Sequence, residues 1–113
     1  MSEDRRKSHR IDEKRYVAVK VMKEGKVIND QVFSVLVDLS ESGCCLRSGV
    51  NLPRGSGLEA AIGFGEEIRT IPGVIRRSRR LEEGNWELGV EFTQVEPNDR
   101  SFLRQVIRAY AGT

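Results

Sequence analysis

Two short clusters hold the residues whose types and spacing could do chemistry. The first is Asp38-Leu39-Ser40-Glu41-Ser42-Gly43, at the end of a hydrophobic run. Asp38 and Ser40 are two apart, so an extended backbone projects them from one face. That pairs a fixed carboxylate acceptor with a hydroxyl that donates or accepts. Gly43 fits a reversal, where a positive φ or a close backbone approach is cheap only for glycine. The second cluster is Arg5-Arg6-Lys7-Ser8-His9-Arg10. Guanidinium groups bind phosphates and the O6/N7 edge of guanine through paired donors, and they stack on base faces. Arg5, Arg6 and Arg10 thus offer cations for an anionic, purine-containing ligand. Asp38 offers an acceptor for a guanine ring N–H and amino group. Each cluster also has a plainer reading. Asp, Ser and Gly are ordinary turn residues, and a basic run is often a solvated tail.

Other chemistries find less support. The single histidine, His9, sits in the charged N-terminal stretch, where a nucleophile–base pair lacks rigid geometry. No carboxylate pair stands out. The glycines from Gly49 to Gly57 lack the GK[ST] ending of a phosphate-gripping loop, and Gly63-Phe64-Gly65 is an isolated GxG before acidic residues. Adjacent Cys44 and Cys45 with one distant histidine do not give zinc spacing. The expectation is a non-enzymatic chain with no metal and no cofactor. The basic run Arg76-Arg77-Ser78-Arg79-Arg80 reads as a charged strand end, a partner-docking patch or an added contact to ligand phosphates. On a regular strand Arg77 and Arg79 share one face, and Arg76 and Ser78 the other. Trp86 reads as a core or edge tryptophan, with a purine flank as the functional alternative.

The elements that must position these residues follow from periodicity. The chain of 113 residues suits one domain, and 38% apolar content can supply its core. A net charge of +2 is too small for a bulk polyelectrolyte binder. Residues 1–15 have no hydrophobic period and are expected to form an arm that is mobile alone. From Tyr16, the run Val17, Val19, Val21 alternates as a half-buried strand. Val32 to Leu39 is a second strand, with Phe33, Val35, Val37 and Leu39 expected on its apolar face. Cys44 to Arg47 is a third; one cysteine is expected in the core and the other at the surface. Leu58 to Phe64, Ile68 to Arg77 and Trp86 to Thr93 follow, with Pro72 marking a bulge or an edge. Pro97 opens a helix over 97–111, where Phe102, Leu103, Val106, Ile107 and Tyr110 make one apolar face. The pattern predicts an all-β domain over 16–113: a small antiparallel barrel of six to seven strands plus a C-terminal helix.

These motifs resemble a known family. Arg6-Lys7-Ser8-His9-Arg10 matches RxxxR, and Asp38 to Gly43 matches [D/N]xSxxG. Their order, with one hairpin between them, resembles the PilZ domain, and the likeness spans nearly the whole chain. Leu88-Gly89-Val90-Glu91-Phe92 before the helix at Pro97 is similar to the family's closing strand and helix. The resemblance implies a receptor for the bacterial second messenger cyclic di-GMP. Arg6 and Arg10 would hold phosphates and guanine edges, Asp38 and Ser40 would hydrogen-bond a guanine, and Gly43 would let the backbone approach it. Arg5 stands just before the first motif arginine. In similar domains an arginine there goes with two stacked ligand molecules per chain.

The resulting expectation is a cytoplasmic sensor whose arm orders on ligand and so changes the surface seen by an unidentified protein partner. No secretory signal or membrane span is expected. With no appended domain in the sequence, the output is expected to act through another molecule. Two alternatives stand beside it: a barrel that docks proteins without ligand, and a binder of single-stranded nucleic acid. The few aromatics count against the nucleic-acid reading, since a stacking platform needs several on one face.

Overall fold

A computed structural model of the chain describes residues 9–23 and 26–110, with the side chains of 9–16, 28–31 and 110 excepted. The strands are β1 (His9–Lys23), β2 (Lys26–Leu39), β3 (Gly43–Ser48), β4 (Gly57–Phe64), β5 (Glu67–Arg80) and β6 (Trp86–Phe92). One helix follows, α1 (Pro97–Tyr110). The strands close into an antiparallel barrel in the order β1-β2-β3-β6-β5-β4, and β4 returns to β1. The closing ladder pairs 18–22 of β1 with 57–61 of β4, so the sheet has no free edge strand along that stretch. Among the described residues no helix is long and apolar enough to cross a membrane.

Alternation builds the interior. Val17, Val19 and Val21 of β1 point inward, as do Leu88, Val90 and Phe92 of β6. The helix plugs one side of the barrel. Phe102, Leu103 and Val106 are buried and recur at helical spacing, so one stripe faces β1 and β5. The Phe102 ring meets Phe64 edge-on at 6.4 Å. At the helix start, the Asp99 carboxylate accepts from the Glu96 backbone N–H at 3.2 Å and from Arg69 Nη1 at 3.3 Å. This is the reach-back half of a capping box, and it places negative charge at the positive end of the helix.

Three expectations need correction. The first strand opens at His9, not at Tyr16. Backbone pairing with β2 brings His9, Arg10 and Arg15 into the ladder without any hydrophobic period, with a register shift between Arg10 and Arg15. The faces of β2 are also reversed over residues 32–36. Val32, Ser34 and Leu36 are buried, while Phe33 is 63% exposed. Val37 is an extra residue, because Leu36 pairs with Leu46 and Asp38 with the next residue, Cys45. This bulge resets the alternation, so Leu39 returns inward. Finally, both cysteines are buried. Cys44 joins the core, and Cys45 points the other way yet is only 7% exposed.

Pro72 makes no bulge of its own. Its carbonyl accepts from Thr93 N at 2.9 Å, so its nitrogen also faces β6, beyond that strand's last residue, Phe92. The missing N–H therefore costs no ladder bond, as at a sheet edge.

Candidate functional site

Two bulges shape one face of the barrel. Simple alternation after Leu36 would turn Asp38 inward; the extra Val37 turns it out. A matching shift lies on β5. Ile75 pairs with Val90 and Arg77 with the next residue, Gly89, so Arg76 is the extra residue. Ile75 is fully buried, and strict alternation would send Arg77 into the core. The bulge puts Arg76 and Arg77 outside instead. Arg77 and Arg79 thus share a face as the spacing suggested, whereas Arg76 leaves the face expected for it.

The ladders then line up one cross-strand row. Arg10 pairs with Asp38, Asp38 with Cys45, Cys45 with Gly89, and Gly89 with Arg77. Residues directly opposite in a ladder point to the same side of the sheet, with strands about 4.8 Å apart. Asp38 and Arg77 are therefore about 14 Å apart along the curved sheet. An open cleft of about 440 Å³ lies over this row, and Asp38, Ser40, Gly43, Cys45, Gly89 and Arg77 all line it.

Each wall has its own supports. Ser40 is 4% exposed, and its hydroxyl is spent on its own turn. Ser40 Oγ accepts from the backbone N–H groups of Ser42 (3.2 Å) and Gly43 (3.1 Å) and donates to the Gly43 carbonyl at 3.2 Å. Gly43 is not one of the described glycines with a positive φ. Its need is space: a Cβ there would lie 2.1 Å from the Val90 carbonyl oxygen of β6. The close approach is to the neighbouring strand. Glu41 ties the turn to the helix through Arg104 at 2.9 Å. The Asp38 carboxylate makes no hydrogen bond with a described side chain, and it lines the cleft.

Across the cleft, Gly89 gives Arg77 room. A Cβ at Gly89 would meet Arg77 Cβ at 3.3 Å and its Nε and Nη2 at 3.4 Å, so the Arg77 side chain lies over Gly89. The positive charge of Arg77 acts on Cys45, its neighbour but one in the row. Burial pushes the Cys45 thiol up to about 11; Glu87 and Asp38 add to the rise and Arg77 opposes it. Burial raises Cys44 further still. Neither thiol is a ready nucleophile. Arg76 and Arg79 are held by Glu91 (2.6 Å) and Glu87 (2.9 Å), while Arg77 has no ion pair with a described residue.

The structure thus brings Asp38, Ser40 and Gly43 together and sets the Arg10 position beside Asp38. Arg5 and Arg6 lie outside the described residues. Cys45 escaped the sequence reading of the site, and Arg77 entered it only within the Arg76–Arg80 run, with a contact to ligand phosphates as one of three readings. Gly89 was the available signal, since a glycine inside a strand marks a close approach. No group of three or more potential metal ligands occurs among the described residues.

The PilZ domain family matches residues 4–109. The chain belongs to the PilZ domain family. No curated protein sequence is matched by it. Solved PilZ structures share its fold. The PilZ domain with c-di-GMP of YcgR from Escherichia coli aligns with a TM-score of 0.67 at 14% identity, covering 91% of this chain and 87% of that one. The PilZ domain of CeSA from a cellulose synthesizing bacterium gives 0.60 at 18% identity, with 89% and 96% covered. The Bacillus subtilis inhibitor of motility, MotI/DgrA, gives 0.65 at 17% identity, and this chain covers 49% of its length. In this PilZ domain, the cleft over the bulged row is the candidate site.

Proposed function

We propose that this PilZ domain is a non-catalytic cyclic di-GMP receptor. The observation that carries the reading is the row in which Arg10 stands beside Asp38, with Arg77 at the far end. The backbone position of Arg10 in one motif lies opposite Asp38 in the other, and Asp38 and Arg77 line one cleft, which supports a guanine acceptor set between cations. Family membership supports the ligand class, and so do two neighbours whose structures contain c-di-GMP, the YcgR PilZ domain and YcgR itself. In this reading Asp38 accepts from the guanine ring N–H and amino group. Arg6 and Arg10 take phosphate and the guanine Hoogsteen edge. Arg5 supports a second, stacked ligand molecule. Ser40 acts mainly by holding the turn. Gly43 serves the site by letting β3 and β6 close, which shapes the cleft floor.

The N-terminal arm that carries Arg5 and Arg6 orders on ligand in this reading, and the ordered arm is what a protein partner recognises. The domain is taken as cytoplasmic, where the messenger is found. Calorimetric titration of the full chain with cyclic di-GMP tests the reading, with GTP and cyclic di-AMP as controls. Saturable binding of cyclic di-GMP alone is expected, with two molecules per chain if Arg5 plays its part. Arg6→Ala, Arg10→Ala and Asp38→Asn should each weaken binding roughly ten- to a hundredfold, the loss of one charge-assisted hydrogen bond. No binding at high micromolar ligand sinks the receptor reading and leaves protein docking.

A further inference from the structure

A second cleft, of about 370 Å³, adjoins the first. Arg76 and Arg77 line both, so the two form one groove across β5. The far part is walled by Pro53, Arg54, Asn51 and Trp86. None of its lining residues is acidic. Arg54 is exposed and has no ion pair with a described residue. Asn51 Oδ1 accepts from Ser78 Oγ at 2.8 Å, which fixes the side chain and leaves its amide N–H groups to donate. Trp86 packs partly on the core and turns its remaining surface to the cleft. A half-buried indole beside unpaired guanidinium groups suits a flat, anionic, aromatic ligand. Trp86 lies three residues from Gly89 along β6, about 10 Å away.

We infer that this second cleft is a base-and-phosphate subsite for the other half of the same cyclic dinucleotide. One guanine occupies the cleft over Asp38 and Arg77. The second stacks on Trp86, and Arg54 meets the phosphate that faces it. Arg77 sits between the halves and serves both. A cyclic dinucleotide repeats base and phosphate twice, and the groove repeats a polar wall and an arginine twice. The inference rests on the receptor reading above and adds where the second base goes.

Trp86 is the only tryptophan in the chain, so its emission comes from this residue alone. Titration of the full chain with cyclic di-GMP, followed by fluorescence and calorimetry in parallel, is the test. Quenching of Trp86 along the calorimetric isotherm is expected. Arg54→Gln should weaken binding by about tenfold, and Trp86→Leu by roughly five- to a hundredfold, the range for one base stacked on an aromatic side chain. Arg54 is exposed, so its substitution leaves the fold intact even if Trp86→Leu does not. Calorimetric saturation with unchanged emission, or undiminished affinity in Arg54→Gln, overturns the inference while the receptor reading stands. Absence of calorimetric binding in the unmodified chain removes both.

Discussion

The two bulges that aim charge into the cleft sit in different surroundings. On the β2 side nearly every polar group is already engaged. The Ser40 hydroxyl closes its own turn, Glu41 reaches Arg104, and the bare Cα of Gly43 sits under the Val90 carbonyl. Asp38 is what remains for a ligand. On the β5 side Arg76 is tied to Glu91, while Arg77 rests on a glycine and a thiol with no carboxylate partner among the described residues. One wall is rigid architecture presenting a single acceptor. The other is an adjustable cation on a smooth bed. Most of the [D/N]xSxxG motif therefore supports the turn, and Asp38 and Arg77 line the cleft from opposite sides.

Glycine substitutions break this contrast most sharply. At Gly43 an added methyl meets backbone, which cannot swing aside. Gly43→Ala should destabilise the fold by about 3 kcal/mol, the upper range for overpacking. Thermal denaturation should show a drop on the order of 10 °C. At Gly89 the same methyl meets only the Arg77 side chain, at 3.3–3.4 Å. Gly89→Ala should keep its melting temperature within a few degrees and instead lose ligand affinity, because Arg77 must lift off the sheet. Equal losses of stability in the two variants would show that the walls do not differ as described.

Ser40→Ala sharpens the rigid side. The hydroxyl is buried and serves two backbone donors and one acceptor, so its loss strands groups that water reaches poorly. A cost of about 1–2 kcal/mol is expected, read as a lowered denaturant midpoint with unchanged slope. Ligand affinity should fall as well, through a loosened turn. Ser40→Thr keeps the hydroxyl and should restore much of the stability. If Ser40→Ala weakens binding with no loss of stability, the hydroxyl serves the ligand directly.

These properties were unevenly legible in the sequence. The barrel and its helix could be read from local patterns, because Val17, Val19 and Val21 or Phe102, Leu103 and Val106 each declare one buried face. The site motifs could be read by type and order. The facing of Phe33 and Leu36 could not, since Val37 breaks the period of two and a bulge shows only when the partner strand is known. Arg77 could be read only as one member of a basic run, for the same reason. Its place in the cleft depends on a bulge at Arg76 and on Gly89 of another strand, and neither is written locally. The start of β1 at His9 rests on backbone pairing, which side-chain periodicity does not report.

Cys45 gives the finest measure of the two walls, because it lies between them in the row. Its thiol is raised from 9.0 to about 11, with burial as the first cause, Asp38 adding to the rise and Arg77 opposing it. The folded state thus holds the proton more tightly than the unfolded chain. That contribution to stability is intact below about pH 9 and is lost as pH rises towards about 11. Thiolate absorbance followed through an alkaline titration reads the group directly, and Cys44, raised further, ionises later. Asp38→Asn removes a negative neighbour and should let Cys45 ionise at lower pH than in the unmodified chain. Arg77→Ala removes a positive neighbour and should delay it. The effects are small, but their opposite signs are the point. If both variants titrate with the parent, Asp38 and Arg77 do not act on a common floor, and the cleft is not the paired acceptor and cation inferred from its ladders.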